Sequence, residues 1–175
     1  MARRQIYLCY LLTLFIPGCN EPVGRKVEGI YMSYPKWILY EWEMDNIDNY
    51  VRTTINLMRE FDEDARDVSF EGLNLDIQEH LDWTVSPWGE KVYGWEYAGT
   101  RVGVAWRNDG YNYPAFTNSL PALCHELFHV VYWRKYLSEG HERFNRDVID
   151  KINSMLPRIV LSPETLDLAR SYQEE

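Results

Sequence analysis

His125-Glu126-Leu127-Phe128-His129 sets two imidazoles and a carboxylate inside a segment that otherwise reads as a buried helix. From Leu120 to Leu137 the apolar residues Leu120, Ala122, Leu123, Cys124, Leu127, Phe128, Val130, Val131, Tyr132, Trp133, Tyr136 and Leu137 fall on nearly every face of a 3.6-residue repeat. Protein wraps a helix of that kind, and two imidazoles and a carboxylate buried in it without partners would cost several kcal/mol. A bound metal ion removes that cost. The i, i+4 spacing stacks His125 and His129 on one helix face, where both reach a single Zn2+, while Glu126 points at a water held on the ion.

Three fixed positions in five residues also recur by chance, and a histidine pair can simply be hydrogen-bonded within a core. The surroundings favour the metal. Asn118 or Ser119 can cap the helix, Pro121 is tolerated in its first turn, and the strand-like segment Arg101-Val-Gly-Val-Ala-Trp106 precedes it. Catalytic zinc takes three protein ligands and leaves its fourth position to water. The chain has four histidines, so His80 and His141 remain as donors. His141 follows Gly140, a residue suited to ending the helix and turning the chain back toward the first two ligands. We therefore expect His141 as the third ligand, with the carboxylates of Glu142 and Glu139 as competitors and His80 as a surface or packing residue.

HELFH at 125–129, a short helical tail, a glycine, and then His141-Glu-Arg-Phe144 heading a new helix together resemble the zincin metallopeptidases. Within that clan the order is similar to the small SprT-like, or minigluzincin, type. The likeness spans about Arg101 to Asp150. The glycine and histidine that metzincins carry after HExxH are replaced by Val131-Tyr132 and Lys135, which excludes that family's ligand geometry.

The resemblance implies zinc-dependent hydrolysis of peptide bonds in a peptide or protein substrate, with His125, His129 and His141 on Zn2+ and Glu126 as general base. The chemistry asks for the same parts: a polarised water of lowered pKa, and a carboxylate to take its proton and pass it to the leaving amine. Tyr111, Tyr113, Tyr132 and Arg143 are all candidates for a further donor to the oxyanion. In zincins the strand before the motif helix is a sheet edge on which an extended peptide can add. Arg101 to Trp106 occupies that place, with Gly103 allowing close backbone approach, and the tyrosine-bearing loop from Arg107 to Thr117 suits a cleft rim.

The N-terminus reads as an export signal. Arg3 and Arg4 precede the apolar run Ile6 to Ile16, followed by Pro17-Gly18-Cys19, a layout too short for a permanent span. Ile16-Pro-Gly-Cys19 resembles a bacterial lipoprotein cleavage box, although Pro17 is unusual in it. That likeness implies lipid attachment at Cys19, a membrane anchor, and, from Asn20, sorting to an outer membrane. Simple cleavage and an uncleaved anchor are the alternatives.

Loss of residues 1–18 would take Arg3 and Arg4 from a chain of 18 basic and 27 acidic residues, moving the formal charge from -9 to -11. Such a balance disfavours nucleic acid, including the DNA-associated roles some SprT-like proteins have. Cys9 would leave with the signal and Cys19 would be acylated. Cys124 is then left without a disulfide partner and reads as a buried apolar residue.

We divide the chain into a signal peptide (1–18), a lipidated N-terminus and tether (19–36) and one catalytic domain (37–175). Met44 to Asp64 shows helical spacing of Ile47, Tyr50, Val51, Ile55, Leu57, Met58 and Phe61. Short β-like segments occupy 67–76, 83–86 and 91–97, with turns at Ser86-Pro-Trp-Gly89 and 98–100. Helices are predicted at His141 to Leu156 and Pro163 to Tyr172. The predicted fold is α+β: a zincin-like domain with a small mixed sheet, an HExxH helix and a following ligand-bearing helix. Against an envelope-anchored zinc peptidase stands a non-catalytic envelope lipoprotein of the same fold, acting as a binding or assembly factor.

Overall fold

The computed structural model describes residues 25–79, 83–108, 118–138 and 141–172. The expectations for the signal peptide, Cys19, His80, Tyr111, Tyr113, Glu139 and Gly140 lie outside the described residues.

The chain enters through a tight hairpin, β1 (Lys26–Val27) to β2 (Ile30–Ser33). Glu28 and Gly29 turn it with φ of 51° and 89°, the left-handed pair that a two-residue hairpin of matching twist requires. Val27, Ile30 and Met32 are buried in the main core. This corrects the tether expected over 19–36: residues 26–33 are part of the sheet, because Gly29 makes a hairpin there where it was read as a linker glycine.

Helix α1 (Glu41–Phe61) buries Ile47, Tyr50, Val51, Ile55 and Met58 on one stripe, as the 3.6-residue spacing predicts. It starts three residues earlier than predicted, since Glu41 and Glu43 belong to its first turn, where the helix dipole favours acids. Helix α1 joins β2 to β3 (Asn74–Ile77), and the two strands pair in parallel.

After β3 comes a small separate hairpin, β4 (Thr84–Val85) with β5 (Lys91–Val92). The chain then forms β6 (Gly94–Tyr97) and β7 (Arg101–Val104), antiparallel to each other, with β7 parallel to β3. The sheet order is β1-β2-β3-β7-β6, a mixed five-stranded sheet. Alternation along its strands turns Ile30, Met32, Leu75, Ile77, Val102 and Val104 into the core, and Tyr31, Asn74, Arg101 and Tyr97 outward in one exposed row.

Two-residue strands β8 (Arg107–Asn108) and β9 (Asn118–Ser119) pair just before α2 (Pro121–Tyr136). Helix α2 packs on α1, β6 and β7, and Leu123, Cys124, Leu127, Phe128, Val130, Val131 and Tyr132 are all buried. Its ends differ from expectation. Leu120, not Asn118 or Ser119, occupies the cap position without a side-chain hydrogen bond, and Pro121 opens the helix. Leu137 closes it in a left-handed conformation, φ 54°, with its N–H donated to the Trp133 carbonyl.

Beyond α2, residues His141–Arg143 form a single 3-10 turn, and α3 (Arg146–Met155) begins only after Asn145, whose side chain accepts from the N–H groups of Asp147 and Val148. The helix predicted over 141–156 is therefore split by that cap. Helix α4 (Pro163–Ser171) starts on Ser162 as predicted. Its first turn is fastened to α1 by Glu43, whose buried carboxylate accepts from the N–H groups of Leu39, Tyr40 and Ser162 and from the Thr165 hydroxyl. Mixed α+β architecture, with helices α1 and α2 against one face of the sheet, is thus established.

Candidate metal centre

Helix α2 runs beneath the edge of the sheet, so one turn of it faces β6 instead of the core. That turn carries His125, Glu126 and His129. The Nε2 atoms of His125 and His129 are 3.1 Å apart, as expected of side chains stacked one helical turn from each other. The 3-10 turn brings His141 to the same point, its ring centroid 4.4 Å from that of His129 and 5.8 Å from that of His125. One nitrogen from each of the three rings lies within 4.8 Å of the others.

These donors fit a metal ion. Zn–N bonds of about 2.0–2.1 Å in a tetrahedron place ligand nitrogens roughly 3.3–3.4 Å apart. The His125–His129 pair already has nearly that separation. His141 is exposed, so rotation of its ring can close the remaining distance. Burial first, then the neighbouring His129, His141 and Arg146, pushes the His125 imidazole down to about 4, which keeps it neutral and able to coordinate across the physiological range. Among the described residues no other cluster of histidine, cysteine or acidic side chains converges this way.

Phe144 supports the cage. Its ring centroid lies 4.8 Å from His125, 4.6 Å from His129, 5.2 Å from His141 and 5.4 Å from Tyr132. The Tyr132 hydroxyl donates to the Arg143 carbonyl at 3.2 Å, which ties the turn carrying His141 back to α2. Two of the expected oxyanion donors are therefore occupied elsewhere: Tyr132 by that bond, and Arg143 by stacking its guanidinium 4.2 Å from the centre of the Tyr136 ring. Glu142 is exposed beside Arg143 and does not join the cluster. Cys124 is buried on the core side of α2, with burial pushing its thiol up to about 12, so it is packing and not a ligand.

Glu126 is 7% exposed and shares a cavity of about 260 Å3 with His125, His129 and His141, closed on the other side by Trp88, Gly94, Trp95 and Glu96. Burial, and then the charge of Glu96, pushes its carboxyl up to about 8. Gly94 makes room for it. A Cβ at Gly94 would stand 2.8 Å from both Cγ and Oε1 of Glu126 and 2.9 Å from Cβ of Ala122.

The strand that walls this cavity is β6, which pairs only with β7 among the described residues. The edge expected at Arg101 to Trp106 is corrected: β7 lies between β3 and β6 and has no free side. Gly103 does permit a close approach, but of a side chain. The Trp95 indole crosses it, so that a Cβ there would fall 2.2 Å from the ring. Trp95 in turn donates from Nε1 to the Thr84 hydroxyl at 3.3 Å, holding the β4–β5 hairpin over the site.

Gly94 and Glu96 are not singled out by the sequence, and Trp88 is expected there only as a turn residue and general core or cleft packing. A glycine between Tyr93 and Trp95 in an alternating strand, and a tryptophan at the tip of a Ser-Pro-Trp-Gly turn, were the available signals. Compared with known proteins, the chain matches no family model, no curated protein and no solved structure.

Proposed function

We propose that this chain is a zinc-dependent metallopeptidase of zincin-like fold, with His125, His129 and His141 as ligands and Glu126 as general base. The observation that carries the reading is the convergence of three imidazoles on one point with a buried carboxylate in the same cavity. Three neutral nitrogen donors suit zinc and leave a position open, the arrangement of a catalytic rather than a structural site. A zinc ion there supplies a polarised water of lowered pKa and electrostatic stabilisation of the developing oxyanion.

With zinc held by the three histidines, Glu126 would be the base that takes a proton from the attacking water as the water oxygen bonds to the scissile carbonyl carbon. The same carboxyl then gives the proton to the amine nitrogen as the C–N bond breaks. Without a metal, burial and Glu96 hold Glu126 protonated near neutral pH. Beside a divalent cation the carboxylate form is favoured, and that is the form a base needs. The substrate adds as a further strand along β6, which among the described residues pairs only with β7 and whose other edge borders the cavity.

The protein is exported and anchored by a lipid on Cys19 to a bacterial membrane, facing the periplasm or exterior, on the strength of Arg3, Arg4, the apolar run and the cysteine. No helix among the described residues is long and apolar enough to cross a membrane.

Replacing Glu126 by Gln tests the reading. Zinc stoichiometry should stay at that of the wild type while peptide turnover falls by at least about 100-fold, the scale of losing a general base. Unchanged turnover would refute the assignment. Zinc binding without turnover in the wild type would favour the non-catalytic lipoprotein.

A further inference from the structure

A second cavity, of about 410 Å3, opens directly beside the metal centre and is lined by Pro87, Trp88, Tyr97 and Arg101. Trp88 belongs to both cavities. It stands at the tip of the β4–β5 hairpin, 58% exposed, and Tyr97 across the opening is 54% exposed. Trp88 is held in place. The hairpin tip is closed by bonds from the Gly89 N–H to the Ser86 carbonyl, the Ser86 N–H to the Glu90 carbonyl and the Glu90 N–H to the Ser86 hydroxyl. The Trp88 indole N–H donates to the Glu90 carboxylate at 3.1 Å. A tied-down tip that leaves a large indole in water beside a reactive site is an unfilled contact surface.

Strand β6 connects the two cavities. Gly94, Trp95 and Glu96 line the first and Tyr97 lines the second, with Trp95 and Tyr97 on the same, outward face of the strand. Side chains two residues apart on a strand lie about 7 Å apart on one face. A peptide paired with β6 repeats that spacing in either direction. A substrate side chain two residues from the one that lies against Trp95 therefore arrives at the second cavity.

The lining specifies what fits. An indole, a phenol and a pyrrolidine ring provide apolar faces, and among the described residues no acid lines the cavity to attract a basic side chain. Arg101 is paired with Asp76 at 2.9 Å, so its charge is already balanced and its planar group offers a stacking face.

On the peptidase reading above, we propose that this cavity is a specificity subsite, in which Trp88 and Tyr97 select substrates carrying a large apolar side chain, aromatic above all, within three residues of the cleaved bond. Trp88 is shared with the first cavity, so Tyr97, which lines the second alone, isolates the subsite, and its contribution is read mainly in KM.

The experiment is a peptide-library cleavage profile of the zinc-loaded full chain, followed by kinetics on a matched pair of peptides with Phe or Ala at the selected position. Phe, Tyr, Trp or Leu should dominate one position of the profile. Tyr97→Ala, at a residue that lines the second cavity and not the first, should lower kcat/KM for the Phe peptide roughly 10- to 100-fold while changing that for the Ala peptide less than about threefold, with Tyr97→Phe recovering most of the loss. Zinc content should be unchanged. Binding of the same two peptides to the Glu126→Gln protein, followed by fluorescence anisotropy, should show the same preference without turnover. Trp88→Ala gives a second variant should Tyr97→Ala fail to fold, and its ratio of Phe-peptide to Ala-peptide kcat/KM should fall by the same roughly 10- to 100-fold whatever it does to turnover of the Ala peptide.

A profile with no apolar preference, or equal losses on both peptides, would overturn the subsite and leave the peptidase intact. Failure of the wild type to cleave any peptide would remove both.

Discussion

Gly94 and Glu126 face each other across the edge of the sheet, and the carboxylate sits in the space a side chain on Gly94 would occupy, 2.8 Å from that missing Cβ. The glycine serves no turn there, since its φ is not in the left-handed region. Its use is to let the Glu126 carboxylate lie against the strand. Gly94→Ala should displace Glu126 and lower turnover at least about tenfold, with an overpacking cost of roughly 1–3 kcal/mol. Zinc content should stay that of the wild type, because Glu126 is not a ligand. Steady-state kinetics together with metal analysis checks this, and full activity in Gly94→Ala would show that the carboxylate's position is not critical.

Phe144 touches all three histidine rings. Removing it leaves the turn carrying His141 tied to α2 by the Tyr132 hydroxyl and by the stacking of Arg143 on Tyr136. Phe144→Ala should weaken zinc binding by roughly 10-fold, on the scale of losing a supporting group behind metal ligands. Phe144→Leu, which refills most of the volume, should recover much of that. Competition against a chelating dye measures both, and unaltered affinity in Phe144→Ala would mean that the histidines hold their positions unaided.

The metal-free protein should have a distinctive pH dependence. Glu126 titrates near about 8 in the fold against an ordinary 4.5, so between those values the folded chain keeps a proton that the unfolded chain has released. Stability contributed by the protonated carboxyl is full below 4.5 and is lost as pH rises through 8. His125 acts oppositely: with a folded value near 4 against an ordinary 6.5, it destabilises the fold as pH falls from 6.5 to 4. Glu126→Gln removes the first effect. In chelator, its melting temperature should exceed that of the wild type by a few degrees at pH 8 to 9, and by less at pH 5. Parallel melting curves across this range would contradict the placement of a buried carboxyl at this site.

Glu43 is fully buried and accepts four hydrogen bonds, from Leu39, Tyr40, Ser162 and Thr165. In Glu43→Gln one carboxylate oxygen becomes an NH2 that cannot accept, so either the Ser162 N–H or the three donors on the other oxygen lose their partner, and the charge that strengthens the rest is gone. We expect a loss of about 2–4 kcal/mol in denaturant unfolding, a scale set by unsatisfied buried partners of a charged group. Zinc affinity of the folded fraction should be little changed. A loss below about 1 kcal/mol would mean that the α1–α4 junction is held by its apolar contacts alone.

The residues of α1 and α2 were legible because long helices write their environment into a local period: Ile47, Tyr50, Val51, Ile55 and Met58 recur as a stripe, and the apolar surround of His125 marks a buried helix. Strands β1 and β2 were not. They are two and four residues long, and Gly29 looks the same in a hairpin as in a linker. The order of the sheet was misread for a different reason. Whether β6 or β7 forms the edge depends on which strand pairs with β3, a non-local choice that neither segment records. His141 was legible as the histidine that joins the motif pair, yet its position on a separate turn rests on the Asn145 cap four residues later. The β6 wall opposite the histidines, with Gly94 and Trp88, exists only once the sheet is assembled.

The central claim is that three imidazoles hold one zinc ion, and a zinc titration of the metal-stripped full chain beside its His141→Ala variant tests it most directly. The wild type should bind one equivalent, and the variant should bind at least about 100-fold more weakly, since a two-histidine site lacks the ligand count of catalytic zinc. Equal affinity in the two proteins, or no binding in either, would contradict the account.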